Sequence, residues 1–433
     1  MLPPRPGLSR WAMSVGFMLR PTDFVEACAA DCGDFFTLRP APGRQVVFTS
    51  DPQAVRQVFT GDPALLHAGA GNVTLAPLLG PGSVLLLDGA EHLRHRKLLL
   101  PPFHGDRMRG HADVMREVAE RHVARWPRDR AFAVLPSMQA MTLEIILRVV
   151  FGVSDPVARQ RLGDPLRVLL EEMASPVRLL ALGLTGSRRR GPLSPWRRFA
   201  RLRALADARV HEEIARRRAD PDAAGRDDVF SMLVAARDEQ GRALTDDELR
   251  DELMTLLVAG HETTATALAW ALERIVRHPA VHARLRAEQA AGGTAYLDAV
   301  IRETLRLRPV VPAVVRELQA PMTFGGWDLP AGVSIAPSIY LLHRRPDLYP
   351  EPLAFRPERF LDRAPGTYEW IPFGGSVRRC LGASFALLEM RELLGVVLRE
   401  VPLRAGSRGD GEATRRRTVT FAPADGGRIL VGA

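Results

Sequence analysis

Phe373-Gly374-Gly375-Ser376-Val377-Arg378-Arg379-Cys380-Leu381-Gly382 is the stretch on which the reading of this chain turns. A glycine-rich run stands directly before the amphipathic segment Ala383 to Arg399, so Cys380 falls where a tight loop meets a helix amino terminus. Backbone N–H groups and the positive helix end stabilise a thiolate in such a place. A thiolate in a loop is a candidate metal ligand, tuned by hydrogen bonds to its sulfur. A lone free cysteine is more often a small buried hydrophobe. The glycines and arginine around Cys380 make that the poorer reading.

Working outward, one helix stands out. Thr245-Asp246-Asp247-Glu248 has the form of a capping box, with acidic residues in the first turn where the helix dipole favours them. The helical pattern then runs unbroken to His278, where Pro279 stops it. About 32 residues at ~1.5 Å each give ~48 Å, enough to cross a domain. Leu253, Leu256, Leu257, Val258, Leu268 and Trp270 make it apolar around much of its circumference, as in a central buried strut. Halfway along lies Ala259-Gly260-His261-Glu262-Thr263-Thr264. An interior glycine costs up to about 1 kcal/mol relative to alanine, the paired threonines add to it, and a buried glutamate is costlier still unless bonded. Local rules broken together in one turn point to a functional site. Alone, the segment would be read more simply, with Glu262 pairing with an arginine across a helix contact.

The surrounding organisation is mainly helical with small sheets. Phe35 to Leu38 and Gln45 to Thr49 flank a turn at Pro40 to Gly43, a hairpin by its turn chemistry. Thr418 to Phe421 and Arg428 to Val431 bracket Asp425-Gly426-Gly427 and predict a second hairpin. Leu65 to Leu87, rich in Gly and Pro, reads as a long adaptable loop, and Arg188 to Pro195 as a mobile connection. From Glu91 to about Glu400 helical periodicity dominates. His343 reads as a surface or turn residue, and Arg188 to Arg190 as a solvated loop.

With these residues in view, the chain resembles a bacterial, soluble cytochrome P450. The loop Phe373 to Gly382 resembles that family's haem-binding signature, which implies Cys380 as the iron ligand and Arg378 directed at a haem propionate. Ala259 to Thr264 resembles its oxygen-activating helix. Glu303-Thr304-Leu305-Arg306 matches its Glu-x-x-Arg motif, and Phe355 to Phe360 matches the segment that supplies Arg359 to the same cluster. His92 and Arg96, four apart on one helix face, and Arg316, following Pro309 to Val315, match propionate contacts. Ser376 departs from the glycine most common at its position, and Glu262 from the commoner aspartate.

The resemblance implies a cytochrome P450 fold over residues 1–433 as one domain, β-rich at about 35–60, with haem between the long helix and the helix after the cysteine loop. It implies haem b held by His92, Arg96, Ala259, Arg316, Phe373, Gly374, Arg378, Cys380 and Gly382. A thiolate pushes electron density through the iron and favours O–O cleavage. Cleavage needs protons, and the implied catalytic group is Glu262 and Thr263 as acid and hydroxyl, with Gly260 letting the helix approach and widen. His261 lies next to that pair and is read as a neighbour rather than an axial ligand. Glu303, Arg306 and Arg359 are implied to brace the cysteine loop. The expected activity is hydroxylation or epoxidation of an apolar small molecule, with NAD(P)H electrons arriving from a ferredoxin- or flavodoxin-type donor and its reductase. Arg378, Arg379 and Arg391 are the expected basic landing surface. A peroxide-driven or isomerising enzyme is the first alternative and a non-catalytic haem sensor or carrier the second; the acid–alcohol pair argues against both.

Composition sets the outer limits. With 433 residues, 46% hydrophobic and 25% charged, the chain can bury a large core and is not disordered in bulk. The net charge of +9 is almost all arginine, Lys97 being the only lysine. The arginines are scattered through amphipathic segments, without a zinc-finger or RNA-binding signature, so nucleic acid is not expected as a partner. Three cysteines are too few for a disulfide framework and suit a reducing compartment. Cys28 and Cys32 can share a helix face, with packing their expected role. The apolar patch Trp11 to Leu19 is short of the roughly 20 residues that span a bilayer, and Arg20-Pro21-Thr22-Asp23 follows it in place of a cleavage site. A cytoplasmic monomer is expected. Leu65–Leu87, Leu162–Pro195, Val258 and Val310 to Val315 are the expected aliphatic lining of the substrate pocket.

Overall fold

A computed structural model describes residues 2–7, 16, 17, 19–41, 43–103, 110–174, 195–409, 411–417 and 419–432. The helices that place the site are α1 (Ala68–Gly71), α2 (Gly89–Leu99), α3 (Ala112–Val123), α4 (Leu135–Val149), α5 (Asp246–Arg277), α6 (Ala295–Leu307) and α7 (Ala383–Glu400). Helix α5 begins as its sequence demands. The Thr245 hydroxyl accepts the Glu248 N–H, and Glu248 accepts the Thr245 N–H at 2.7 Å. It ends at His278, where Pro279 opens the next helix. Leu253, Met254, Leu257, Ala265, Leu268, Leu272 and Ile275 are all buried, and α4, α6 and α7 pack around it. A helix apolar on nearly every side has to be surrounded, and this one is the axis of the main core.

The strands are β1 (Phe35–Ala41), β2 (Arg44–Thr49), β3 (Leu66–His67), β4 (Phe132–Ala133), β5 (Arg316–Leu318), β6 (Met322–Phe324), β7 (Trp327–Leu329), β8 (Ser334–Pro337), β9 (Leu403–Ala405), β10 (Thr414–Arg417), β11 (Thr420–Pro423) and β12 (Arg428–Val431). β1 and β2 form the expected antiparallel hairpin. The five-stranded sheet is ordered β1-β2-β8-β5-β3, with β2 and β8 parallel. Its inner strands β8 and β5 therefore come from beyond residue 315, between the early strands β2 and β3. The β-rich region is not the continuous stretch 35–60, because Asp51 caps a helix over Pro52–Thr60 by accepting the Ala54 N–H at 2.7 Å.

Three further expectations are corrected. The second hairpin does not form: β11 pairs with β10, while β12 pairs with β4 and β9 in another sheet. Glu412 gathers the turn, its carboxylate accepting the N–H groups of Asp425, Gly427 and Arg428. Leu65 to Leu87 is not an open loop but β3, α1 and two further short helical turns, Val73–Leu75 and Ala76–Leu79. His343 is wholly buried, because Arg306 donates to its carbonyl and the Ile371 N–H to its ring. Residues 175–194, with Arg188 to Arg190 and most of the Leu162–Pro195 and Arg188–Pro195 regions, lie outside the described residues. Cys28 packs in the core among Phe24, Val25 and Phe36, as expected.

Candidate active site

The cysteine loop is built by glycine and by one strained serine. Gly374 has φ +66°, and Ser376 φ +57°, opening a 3-10 turn over Ser376–Arg378. Gly374 N–H reaches Ile371 O at 3.0 Å and Cys380 N–H reaches Phe373 O at 2.9 Å, closing the loop on itself. A Cβ on Gly375 would stand 3.0 Å from the Phe59 ring, so the loop is pressed against the Pro52–Thr60 helix. Gly382 then leads into α7.

Cys380 is exposed at the head of α7 although protein crowds it from several sides. Desolvation raises its thiol above the ordinary value, against the Gly382 N–H and the charges of Arg96 and Arg379, which favour the thiolate. The expected donors are thus present, yet they do not by themselves outweigh burial. A metal cation is what deprotonates a thiol held this way.

On α5, Ala259 is exposed and Thr263 half-buried in the middle of an otherwise enclosed helix, so a chamber borders this turn. The Thr263 hydroxyl donates back to Ala259 O at 2.5 Å. The helix runs through Gly260 without a break. A Cβ there would lie 3.0 Å from Ile146 Cδ1, so α5 passes close to α4 at this glycine. Glu262 is held at both oxygens: Arg417 Nε donates to Oε1 at 2.8 Å and Gln139 Nε2 to Oε2 at 2.7 Å. His261 turns to α4, its Nδ1 2.9 Å from the Thr142 hydroxyl. Burial first, then Arg417, lowers it to about 4, so it is neutral and bonded to α4.

Three arginines and a histidine gather beside the chamber. His92 is lowered to about 4 by burial and then by Arg378, Arg96 and Arg316. Burial with Arg378 takes Arg316 down to about 10, and burial with Arg96 takes Arg378 to about 10, Asp88 opposing in both. Arg96 is lowered by burial. Neither His92 nor Arg96 makes a side-chain hydrogen bond among the described residues, and Arg316 donates only to the adjacent Val315 carbonyl. Among the described residues Asp88 is the carboxylate that answers this charge, at 2.5 Å from Arg378. Buried cations that depress one another call for an anion, and two carboxylates set beside an exposed thiol answer that call. The residues therefore fit an iron porphyrin with its paired propionates.

The expected landing surface is thinner than its sequence suggests. Arg378 turns inward, donating to Val84 O, Leu87 O and Asp88, and Arg391 is neutralised by Asp298 at 2.7 Å. Arg379 is exposed and makes no ion pair among the described residues.

Behind the loop, Glu303 and Arg306 are both fully buried and doubly bonded at 2.7 and 2.9 Å. Arg359 Nε reaches Glu303 at 3.2 Å. Arg306 also donates to the carbonyls of His343, Pro352 and Ala354. His343, which burial lowers to about 3, accepts the Ile371 N–H at 2.9 Å, two residues before Phe373. The brace runs from α6 through His343 to the cysteine loop. Asp88, Gln139, Arg417 and His343 were missed by sequence reasoning. Gln139 and Arg417 lie 123 and 155 positions from Glu262, with no local pattern to link them.

A buried helix facing a cysteine loop, flanked by three arginines and a histidine with a single carboxylate among the described residues beside them, defines a haem protein of the cysteine-using class. The cytochrome P450 family profile matches residues 4–421, and the chain belongs to that family. It is 45% identical to a putative cytochrome P450 135B1 of Mycobacterium bovis over 443 aligned positions, covering 100% of this chain and 92% of the relative. It is 39% identical to a putative cytochrome P450 135A1 of Mycobacterium tuberculosis, covering 99% and 94%. A solved retinoic acid-bound cyanobacterial CYP120A1 superposes with a TM-score of 0.86 at 27% identity, covering 99% of each chain. Membership makes this chain a haem b monooxygenase that draws on redox partners and NAD(P)H. No described helix is long and apolar enough to cross a membrane.

Proposed function

We propose that Cys380 is the iron ligand, and that the chain inserts one oxygen atom of O2 into an apolar small molecule by hydroxylation or epoxidation. The observation that carries this reading is the cluster of His92, Arg96, Arg316 and Arg378 beside the exposed cysteine. These four hold the propionates as charge-assisted pairs. Phe373, Gly374 and Gly382 shape the sulfur's loop, and Ala259 and Gly260 form the opposite wall. When bound, haem supplies the activation of dioxygen. The chain supplies the protons. Glu262, one-fifth exposed and tied to Arg417, takes up a proton on the solvent side, and the Thr263 hydroxyl passes it into the chamber. Val258 and the Val310 to Val315 run give the chamber its aliphatic character. Residues 1–433 act as one domain and one monomer in the cytoplasm, and a ferredoxin- or flavodoxin-type carrier with its reductase delivers the electrons.

A substrate is found first by its shift of the haem spin state. Thr263→Ala then diverts electrons into hydrogen peroxide, and product per NAD(P)H falls at least severalfold. Unchanged coupling in that variant overturns the relay. Product formed from peroxide as fast as from NAD(P)H and carriers would favour a peroxygenase instead.

A further inference from the structure

Residues Leu78 to Asp88 form a strap between α5 and the cysteine loop. Arg250 Nη1 donates to Leu79 O at 2.8 Å, Asp251 accepts the Gly82 N–H at 2.8 Å, and the Thr255 hydroxyl donates to Ser83 Oγ at 2.7 Å. Glu252 Oε1 accepts the Val84 N–H at 2.9 Å. On its other side the strap receives Arg378: Val84 O at 3.1 Å, Leu87 O at 2.6 Å and Asp88 Oδ1 at 2.5 Å. Val84 thus joins Glu252 on α5 directly to the arginine of the propionate cluster.

Glu252 does one thing more. The same Oε1 lies 2.7 Å from His95 Nδ1, while Oε2 has no partner among the described residues. His95 stands on α2 between His92 and Arg96, and is 2% exposed. The charged groups facing this pair are Arg94 and Glu248 at His95 Nε2, Asp251 beside Glu252, and Asp238 behind Arg94. One buried pair therefore fastens both walls that carry propionate-binding side chains.

We propose that His95 and Glu252 are positioning residues forming a clasp on the haem chamber, and that opening this clasp is the step through which haem enters and leaves. The clasp holds through the charge on His95. Burial alone would lower His95, but Glu252, with Glu248, more than reverses it, and burial pushes Glu252 up to about 6. As pH rises past the raised value of His95, the imidazolium is lost and Glu252 is left as a buried carboxylate without an opposite charge. The strap then loosens.

The test is haem transfer from the loaded protein to apomyoglobin, followed by absorbance from pH 6 to 9. The wild type releases haem slowly at pH 6 and on the order of tenfold faster at pH 9. His95→Asn keeps a donor toward Glu252 but no charge, and releases haem at the fast rate throughout, while its reduced carbon-monoxide band stays that of cysteine ligation. In His95→Asn, amide exchange rises over Leu78 to Asp88 but not over Ala265 to Ile275. Profiles that superimpose on wild type, or a uniform rise in exchange, overturn the proposal. Where His95→Asn does not take up haem, Glu252→Gln decides: the pH step vanishes if the clasp exists and persists if it does not. This readout stands apart from turnover and from the Glu262–Thr263 relay.

Discussion

Ser376 stands at φ +57°, where an L side chain crowds its own backbone. Glycine carries no such cost. Ser376→Gly is expected to stabilise the haem-loaded protein by up to about 1 kcal/mol, read as a rise in the thermal midpoint. A fall would show that the serine hydroxyl does more than turn the chain. This position illustrates what was legible at the scale of single residues. The Gly-rich spacing around Cys380 announced the loop, yet not that the turn falls on the one non-glycine of Gly374-Gly375-Ser376. Glu262 was read as a functional acid or, more simply, as an arginine's partner. The structure shows the pair with Arg417, and the acid's role now rests on its place beside Thr263. His343 was misread because a Leu-His-Arg-Arg-Pro run looks like a polar turn. Only the arrival of Arg306 and Ile371 from elsewhere explains its burial.

Among the elements, α6 bears the strongest stake. Glu303→Gln would leave Arg306, at 0% exposure, without a full counter-charge, and breaking such a buried pair costs about 3–5 kcal/mol. Urea unfolding and the haem-to-protein absorbance ratio should both fall. A loss under about 1 kcal/mol with full haem content would contradict the brace. The α3–α4 contact offers a pH test. Although burial works against it, Glu144 is lowered to about 2 by bonds from His122 and Arg121 and by the charges of Arg121 and Arg159. A depressed carboxyl contributes stability that is whole above its ordinary value near 4.5 and fades as pH falls toward 2. Glu144→Gln should therefore flatten the acid limb of a urea-unfolding series, and an unaltered limb would rule the contact out as its source. Elements were legible where a local signal was self-sufficient. The capping box and Pro279 bounded α5 to within a residue. Strand partners were not, because β8 and β12 choose theirs by long-range contact, and nothing near Asp425-Gly426-Gly427 reveals that its flanking strands part into different sheets.

Across the whole molecule, the net charge is +9, although many of the described arginines pair with carboxylates. With Arg378 and Arg391 paired, Arg379 is the member of the expected landing surface that makes no ion pair among the described residues. Reduction by an acidic carrier should slow as salt rises, since exposed charges are screened beyond about 8–10 Å at ordinary ionic strength. Arg379→Glu should slow it at low salt in stopped-flow measurements and flatten the salt dependence. Salt-independent rates would place the carrier elsewhere. The fold class was legible because the central helix, the Glu-x-x-Arg pair and the cysteine loop each carry a local signature. The substrate was not, since an aliphatic lining fits many apolar molecules alike. All of these readings depend on sulfur holding the iron. The most direct measurement is the absorbance of the reduced carbon-monoxide complex, in the wild type and in Cys380→Ala. A strongly red-shifted Soret band that disappears in the variant is the predicted result; an unshifted band in the wild type, as nitrogen ligation gives, would contradict it.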